Sequence, residues 1–497
     1  MQFNSLTFAL FLLPALLSYY VAPRSYRWLP LLIASYLFYA ATDALRIWIL
    51  IGLTIFSYWL APKIEHAKTP ELRRGLLWTG LVPILTALVG FRCLGLLLPG
   101  SEMFSMPLGL SFFALRLASY LFDVFSKATN AERHVGTFSL YVAVFPELPA
   151  GPIDRAQALL PQLKSPSDFR YGQFTAGVKL FAWGLFKKIV IADRLRQFVS
   201  AAYDSTGAVD GAAYCLATLY FAFQIYCDFS GYSDMAIGLG EMFGLKFAKN
   251  FERPYLSGSI SEFWTRWHIS FSSWLRDYLF LPVMYKTGSA LDGRLPGVIS
   301  TDKLGYAVAV VTTMVLAGLW HGAALHYVAW GVVIAGYMVV SVLTKKPRAR
   351  ATKFLYGRKA RGVHAAVKVA TTFLLVNVSW VFFRANSLGD AVRILGSIPG
   401  GVVSYLSRIL NGLAGARLAG PDLTAPLLLG QGGFNTLLAV LGVLLLLCVE
   451  LLQQRGSVRE LIGTYPVWIR WPLYVTLVLA IVVFRSRAGT KFIYAGF

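Results

Sequence analysis

Long apolar runs recur along the whole of this 497-residue chain, and they constrain its fold more than any other feature. The longest block, residues 305–343, is about twice the roughly 20 residues that one membrane-spanning helix needs. Hydrophobic residues make up 57% of the chain and charged residues 14%. Soluble domains average about 45–50% and about 25% respectively. The sequence therefore predicts an all-α polytopic membrane protein and excludes a disulfide-stapled secreted domain and a disordered chain.

The apolar runs predict about 11–13 membrane passes or partial passes. They lie at 5–22, 28–42, 46–61, 76–98, 107–124, 136–149, 175–192, 212–227, 305–343, 365–383, 435–453 and 467–484. No Lys or Arg precedes the first run, so we expect a retained span rather than a signal peptide. Several runs are short or broken by Pro or Gly, which membranes tolerate where the backbone is buried in protein or lines a cavity. The pattern favours helices around a central funnel, with re-entrant or interfacial segments.

The charge is strongly basic, with 46 Lys and Arg against 24 Asp and Glu, a net charge of +22. In a membrane protein this excess is typical of cytoplasmic loops and does not indicate nucleic acid binding. The most basic stretch, residues 345–361, is predicted to be a cytoplasmic loop. Four scattered cysteines read as core residues, and six scattered histidines lack the spacing of a metal site.

Two carboxylates, Asp228 and Asp234, lie in an apolar run together with Gln224, Ser230 and Ser233. Intramembrane carboxylates are costly and usually face a bundle interior or a wet cavity. The residues alone leave two interpretations open. The carboxylates either pair with a nearby cation and hold the fold, or they line a functional cavity.

A capping box, Ser259 with Glu262 three residues later, predicts the start of a helix that contains His268. Aromatic and basic residues alternate along it: Trp264, Arg266, Trp267, Trp274 and Arg276. Because indoles and arginines favour the headgroup zone, we expect an interfacial or re-entrant amphipathic helix. His268 alone could be structural or catalytic.

His321 interrupts the long block 305–343 within the sequence Ala-Gly-Leu-Trp-His-Gly, residues 317–322. This pattern predicts two membrane segments joined by a tight turn, with glycines that let backbone or substrate approach. A histidine at that depth is expected to be neutral near pH 7, and a neutral imidazole can accept a hydroxyl proton as a general base. A purely structural hydrogen bond to a neighbouring helix remains the alternative.

Three segments together resemble the membrane-bound O-acyltransferase (MBOAT) family, in particular its bacterial alginate O-acetylase-like branch. They are FPELPAGPIDR at residues 145–155, the stretch 226–282, and GLWHGAALHYVAWG at residues 318–331. Within them, FWTRWHISFSSWLRDYLFLP and LWHG occur in this order about 50 residues apart, which is specific in combination. The tail FIYAGF is similar to the ending of that branch, more weakly.

The resemblance implies a single MBOAT-like domain over residues 1–497, with its most family-like core at about 140–345. It implies that His321 is catalytic and that His268 is a second essential residue. It also implies a multi-pass protein of the bacterial inner membrane that takes an acetyl group from a cytoplasmic donor, acetyl-CoA. That group is passed across the membrane for O-acetylation of an exported polysaccharide such as alginate. The resemblance also implies that no cofactor is bound.

The implied partners are an extracytoplasmic Ser-His-Asp acetyltransferase and the polysaccharide synthesis and export machinery, within membrane lipid. Arg266 and Arg276 are expected to bind the phosphates of the donor at the cytoplasmic mouth. Departures from the family pattern at Glu147, Pro149 and His326 leave the acceptor open. Cellulose, peptidoglycan or teichoic acid with a D-alanyl donor are alternatives, and a secondary transporter is the rival from another class.

Overall fold

The computed structural model describes residues 1–98, 105–205, 209–291, 301–356, 361–413, 428–485 and 492, and this part of the chain is helical without strands. The first ten helices are α1 (Leu6–Val21), α2 (Trp28–Asp43), α3 (Ile47–Glu65), α4 (Pro70–Leu97), α5 (Leu110–Phe125), α6 (Val135–Ala143), α7 (Ala156–Lys164), α8 (Tyr171–Phe186), α9 (Asp193–Tyr203) and α10 (Gly211–Met242). The remainder are α11 (Ile260–Arg266), α12 (Ile269–Leu275), α13 (Leu281–Leu291), α14 (Thr301–His321), α15 (Leu325–Leu343), α16 (Lys345–Tyr356), α17 (Arg361–Arg384), α18 (Leu388–Leu413), α19 (Gly433–Leu452), α20 (Val458–Thr464) and α21 (Val467–Val483). The predicted all-α membrane architecture is confirmed.

Six of the described helices are long and apolar enough to cross a membrane. They contain the segments Ile47–Glu65, Pro70–Gly95, Thr301–His321, Leu325–Leu343, Gly362–Arg384 and Gly433–Leu452. Helices α1 and α21 are apolar but shorter. The other predicted passes fall on helices that are shorter or more polar, among them α5, α8 and α10.

The hairpin of α14 and α15 depends on two glycines. A Cβ atom on Gly318 would lie 2.3 Å from the carbonyl oxygen of Tyr327, and one on Gly331 would lie 2.2 Å from that of Met314. Only glycine lets the two backbones come this close. The predicted pair of segments joined by a turn is confirmed, and these two glycines admit the neighbouring helix.

Helix α8, a π-helical turn at Lys187–Ala192, and α9 run antiparallel to α10. Gly184 faces Gly231 in this contact, where an added Cβ would lie 2.4 Å from the Gly231 carbonyl oxygen. The π-helical turn places two buried lysines against the polar face of α10. This close packing resembles the small-residue contacts of membrane helices generally.

The two aspartates of α10 each contact one of these lysines. Lys188 Nζ lies 2.6 Å from Asp228 Oδ1 and 2.8 Å from Asp193 Oδ1. Lys187 Nζ lies 2.8 Å from Asp234 Oδ2. The geometry therefore supports the interpretation in which Asp228 and Asp234 pair with nearby cations.

The basic stretch after α15 differs from the expected loop, because residues 345–356 form helix α16. Lys, Arg and Ala have high helix propensity, which favours a helix here. The predicted loop residues 357–360 lie outside the described part. We call the side of the molecule that carries α16 the inner side, because basic segments favour the cytoplasm.

Replacing Lys188 with Met should sharply lower the amount of folded protein in the membrane. The change leaves the buried Asp228 and Asp193 carboxylates without this cation, and breaking a buried ion pair costs about 3–5 kcal/mol. Membrane levels and the melting temperature of detergent-purified protein measure the effect. Arg393→Met is the matched control, since Arg393 pairs with Asp390 at the surface, 3.2 Å away. Equal stability of both variants would contradict a structural role for the buried cluster.

Candidate active site

His321 is the last residue of α14 and is only 4% exposed. Four aromatic rings surround its imidazole edge-on: Phe271, Trp320, Trp330 and Phe383, at centroid distances of 6.1, 4.9, 5.3 and 5.0 Å. We call these four residues the aromatic cage. Packing of this kind fixes the orientation of the ring and limits its contact with water.

His268 lies between α11 and α12 in a left-handed backbone conformation, with φ of 45°. The prediction of one continuous helix through His268 is wrong. The backbone N–H of Ile269 donates to the carbonyl oxygen of Asn250 at 2.8 Å, and that of Ser270 to Asn250 Oδ1 at 3.3 Å. Asn250 thus accepts hydrogen bonds from two backbone N–H groups that, in a continuous helix, would bond to carbonyl groups of the preceding turn.

The hydrogen bonds of Asn250 determine the tautomer of His268. Asn250 Oδ1 accepts from the Ser270 hydroxyl at 3.0 Å, while its Nδ2 donates to Ser233 Oγ at 3.1 Å. The same Oδ1 lies 3.0 Å from His268 Nδ1, which must therefore carry the proton. Nε2 is left with the lone pair. His268 lies outside the spanning helices, and burial lowers its pKa to about 3, so the ring is neutral at pH 7.

The structure brings His268 and His321 to one aromatic pair, although 53 positions separate them in the sequence. The Phe271 and Trp320 rings stack with centroids 4.4 Å apart. The His268 ring lies 4.9 Å from Phe271 and 6.3 Å from Trp320, and both aromatic rings also contact His321. The two histidines predicted to be functional therefore share a single site.

The tryptophans of this region occupy the core, not the expected headgroup zone. Trp264, Trp267 and Trp274 are all buried. The indole N–H of Trp274 donates to the carbonyl oxygen of Leu115 at 3.0 Å, so at least this polar edge is satisfied inside the protein. These three indoles therefore pack against protein, whereas the interfacial interpretation had them facing lipid headgroups.

The two arginines predicted to bind the donor pair with neighbouring carboxylates. Arg266 Nη2 lies 2.6 Å from Glu262 Oε1, and Arg276 Nε lies 2.8 Å from Asp277 Oδ1. Two cavities lie near the histidines, and within the described part of the chain neither arginine lines either of them.

A cavity of about 1410 Å³ approaches His268. Asn250 and Phe251 line it, and the Phe251 ring lies 6.4 Å from that of His268. Apolar residues of α8, α19 and α21 form much of its wall. Its lining also contains basic residues: Lys246, Lys249, Arg253 and Arg459. We call it the inner cavity.

A second cavity of about 480 Å³ approaches His321. Phe383 of the aromatic cage lines it, together with Tyr327, His326 and Arg384. His326 Nδ1 lies 2.9 Å from the Phe382 carbonyl oxygen, so this nitrogen donates and the ring orientation is set. We call it the outer cavity.

The two cavities open toward opposite sides of the molecule. Helix α17 begins next to the basic helix α16 and reaches Arg384 roughly 36 Å away along its axis. Arg384 pairs with Asp204 at 2.7 Å, close to the start of α10, and both residues line the outer cavity. Glu241, at the far end of α10, lines the inner cavity. The histidine pair therefore lies between an inner and an outer approach.

Sequence reasoning missed several residues of the site. Asn250 lies in a polar stretch without a catalytic pattern of its own, and Phe383 is the last residue of the apolar run 365–383. Asn250, Phe271 and Trp330 fall within the segments that carry the family resemblance, which was the available signal. Nothing in residue spacing marks Asn250, because its role depends on contacts with residues 18 to 20 positions away.

The fold is that of a helical membrane protein with two buried histidines at one place, and comparisons with known proteins identify its class. The sequence model of the membrane-bound O-acyltransferase family matches residues 31–355. The chain therefore belongs to the MBOAT family and is a membrane O-acyltransferase.

Among curated proteins, the chain is similar to the probable alginate O-acetylase of Pseudomonas syringae pv. tomato, with 36% identity over 80% of this chain and 75% of the relative. It is also similar to the peptidoglycan O-acetyltransferase of Helicobacter pylori, with 29% identity over 74% of this chain and 73% of the relative. The teichoic acid D-alanyltransferase of Streptococcus thermophilus is 27% identical over 45% of this chain and 54% of the relative.

Replacing Asn250 with Ala should destabilise the protein measurably. The substitution removes the acceptor of His268 Nδ1 and Ser270, and each buried donor left without a partner costs about 1–3 kcal/mol. Thermal unfolding of detergent-purified protein measures the change. Gln162→Ala is the control, since this exposed carboxamide also bridges to main-chain groups, at Lys246. A melting temperature for Asn250→Ala no lower than that of the control would rule out the bridging role.

Proposed function

We propose that this chain takes an acetyl group from acetyl-CoA in the cytoplasm and passes it across the inner membrane for O-acetylation of an exported polysaccharide such as alginate. One observation carries the proposal: two buried histidines lie between a cavity on the inner side and a cavity on the outer side. A donor and an acceptor can thus reach one site from opposite sides. The similarity to alginate O-acetylases supports the choice of acceptor.

The proposed reaction is direct acyl transfer. His321 accepts the proton of the acceptor hydroxyl while the hydroxyl oxygen attacks the thioester carbonyl carbon. The new C–O bond forms, the C–S bond breaks, and the proton passes to the departing thiolate. A positioned general base contributes about 10²–10⁴-fold to the rate. His268, with its lone pair on Nε2, positions the reacting groups or relays the proton.

The donor belongs in the inner cavity. Its basic residues offer charge-assisted hydrogen bonds to the phosphates of a coenzyme A thioester. Its apolar wall suits the uncharged part of the same molecule, which ends in the thioester. Arg253 and Lys249 share Glu252, at 3.0 and 3.1 Å, which holds them at this position. The donor-binding role of Arg266 and Arg276 stays a prediction. In the structure these two arginines pair with Glu262 and Asp277 and do not line the inner cavity.

The acceptor hydroxyl, on the polysaccharide or on a partner protein, belongs in the outer cavity. Where it is on a partner, an extracytoplasmic Ser-His-Asp acetyltransferase with the polysaccharide export machinery would complete the transfer to the polymer. The whole of residues 1–497 is proposed to form the single membrane domain that does this. Similarity to a peptidoglycan O-acetyltransferase and a teichoic acid D-alanyltransferase favours another envelope polymer as the second candidate acceptor. A transporter would need no thioester turnover.

His321→Ala should abolish acetylation without unfolding the protein. The test is the acetyl ester content of the exported polysaccharide in a deletion strain that carries wild type or variant at matched membrane levels. We expect a loss on the order of 10²-fold or more for His321→Ala, because the general base is removed. His66→Ala is the control, since His66 is exposed and lies far from the site in the sequence.

Full acetylation by His321→Ala would refute the base assignment. An unchanged ester content in the deletion strain itself would refute the polysaccharide acceptor. The remaining envelope polymers would then be assayed in the same strains.

A further inference from the structure

Arg92 is a charged residue within the apolar membrane segment Pro70–Gly95 of α4. Charged side chains in such segments are costly and usually have a functional reason. Among the described residues, Arg92 forms no ion pair with a carboxylate. Its partners are instead a carbonyl oxygen and a hydroxyl group at the histidine site.

The guanidinium group of Arg92 reaches the end of the helix that carries His321. Arg92 Nη1 donates to the His321 carbonyl oxygen at 2.9 Å, and Nη2 donates to Ser111 Oγ at 3.0 Å. His321 is the C-terminal residue of α14, where backbone carbonyl groups lack partners within the helix. Arg92 thus supplies a hydrogen-bond donor to a carbonyl group at a helix end, where partners must come from within the protein.

The same contact extends to the aromatic cage. The indole N–H of Trp320 donates to the Ser111 carbonyl oxygen at 3.2 Å, so Arg92 and Trp320 both hold the start of α5. Trp320 in turn stacks on Phe271. One arginine therefore joins α4, α5 and α14 next to the residue whose imidazole must be held in a fixed orientation.

We propose that Arg92 is a positioning residue for His321, an inference that rests on the proposed acyl transfer. It acts through the main chain of His321 and through Ser111, without contacting the reacting groups. Its planar fork binds two acceptors at once, which a lysine ammonium at the end of a flexible stem does less well. A displacement of about 1 Å at a catalytic group can cost 10²-fold in rate.

Arg73 provides a matched control on the same helix. Its Nη2 donates to the Val124 carbonyl oxygen near the C-terminal end of α5 at 3.0 Å, and its guanidinium lies 5.7 Å from the Phe125 ring. Arg73 and Arg92 thus both tie a helix end to α4. They are 19 positions apart, roughly 28 Å along the helix.

The experiment compares Arg92→Met, Arg92→Lys and Arg73→Met in full-length protein. Polysaccharide acetyl ester is measured in the complemented deletion strain. Acetyl-CoA deacylation is measured in proteoliposomes that contain alginate as the acceptor, with folded protein quantified. For Arg92→Met we expect kcat to fall about 10²-fold while KM for acetyl-CoA changes less than about threefold. The reason is that the His321 imidazole is no longer held in position, whereas the donor-binding residues are unchanged. Arg92→Lys should recover part of kcat, and Arg73→Met should keep the wild-type kcat per folded molecule.

Wild-type kcat in Arg92→Met would overturn the inference. So would an equal fall in kcat for Arg73→Met, since any helix-end arginine would then do the same. A fall confined to the amount of folded protein, with kcat unchanged, would also overturn it. Absence of both deacylation and polysaccharide acetylation in the wild type would instead refute the proposed function, and the inference with it.

Discussion

The histidine site depends on one constraint, which is that backbone polar groups inside a membrane must find their partners within the protein. Helices satisfy most of these groups, but the site needs two places where helices stop. One is the break at Trp267 and His268, and the other is the end of α14 at His321. Asn250 supplies acceptors at the first place and Arg92 supplies donors at the second. Irregular backbone is tolerated here because other parts of the chain satisfy it, and those same hydrogen bonds fix where each imidazole lies.

Close helix packing supports this arrangement from outside the site. Glycines at the α14–α15 and α8–α10 contacts let backbones approach, and buried lysine–carboxylate pairs join the π-helical turn to α10. Both devices fix the distance between helices rigidly. The polar face of α10 also carries Ser233, which accepts a hydrogen bond from Asn250. The ionic cluster and the histidine site are therefore joined through one helix, and the paired charges can stabilise the site without taking part in the chemistry.

The sequence predicted the parts of this structure that are local. The length and polarity of the apolar block at 305–343 predicted its two helices, and the Gly-flanked Trp320-His321 pair predicted the turn beside the candidate base. The break at His268 could not be predicted, because the capping box and the aromatic spacing suit an unbroken helix and the competing acceptors come from Asn250. The buried tryptophans were misplaced for a related reason. An indole suits a headgroup zone and a core equally well, and which of the two it occupies depends on tertiary neighbours, such as the Leu115 carbonyl that accepts from Trp274, which residue spacing does not reveal.

In the proposed reaction the base must discriminate between the acceptor hydroxyl and water, because hydrolysis of the thioester would waste the donor. The aromatic cage provides a physical basis for that discrimination. The rings of Phe271, Trp320, Trp330 and Phe383 leave His321 4% exposed, and His268 is 1% exposed. Single water molecules gain little in such an apolar enclosure, since they find few hydrogen-bond partners there. A bound acceptor differs from water, because it is also held by contacts in the outer cavity. The free energy of those contacts would offset part of the cost of desolvating its hydroxyl group next to His321. The enclosure that limits the contact of both imidazoles with water would thus also favour the proposed transfer over hydrolysis.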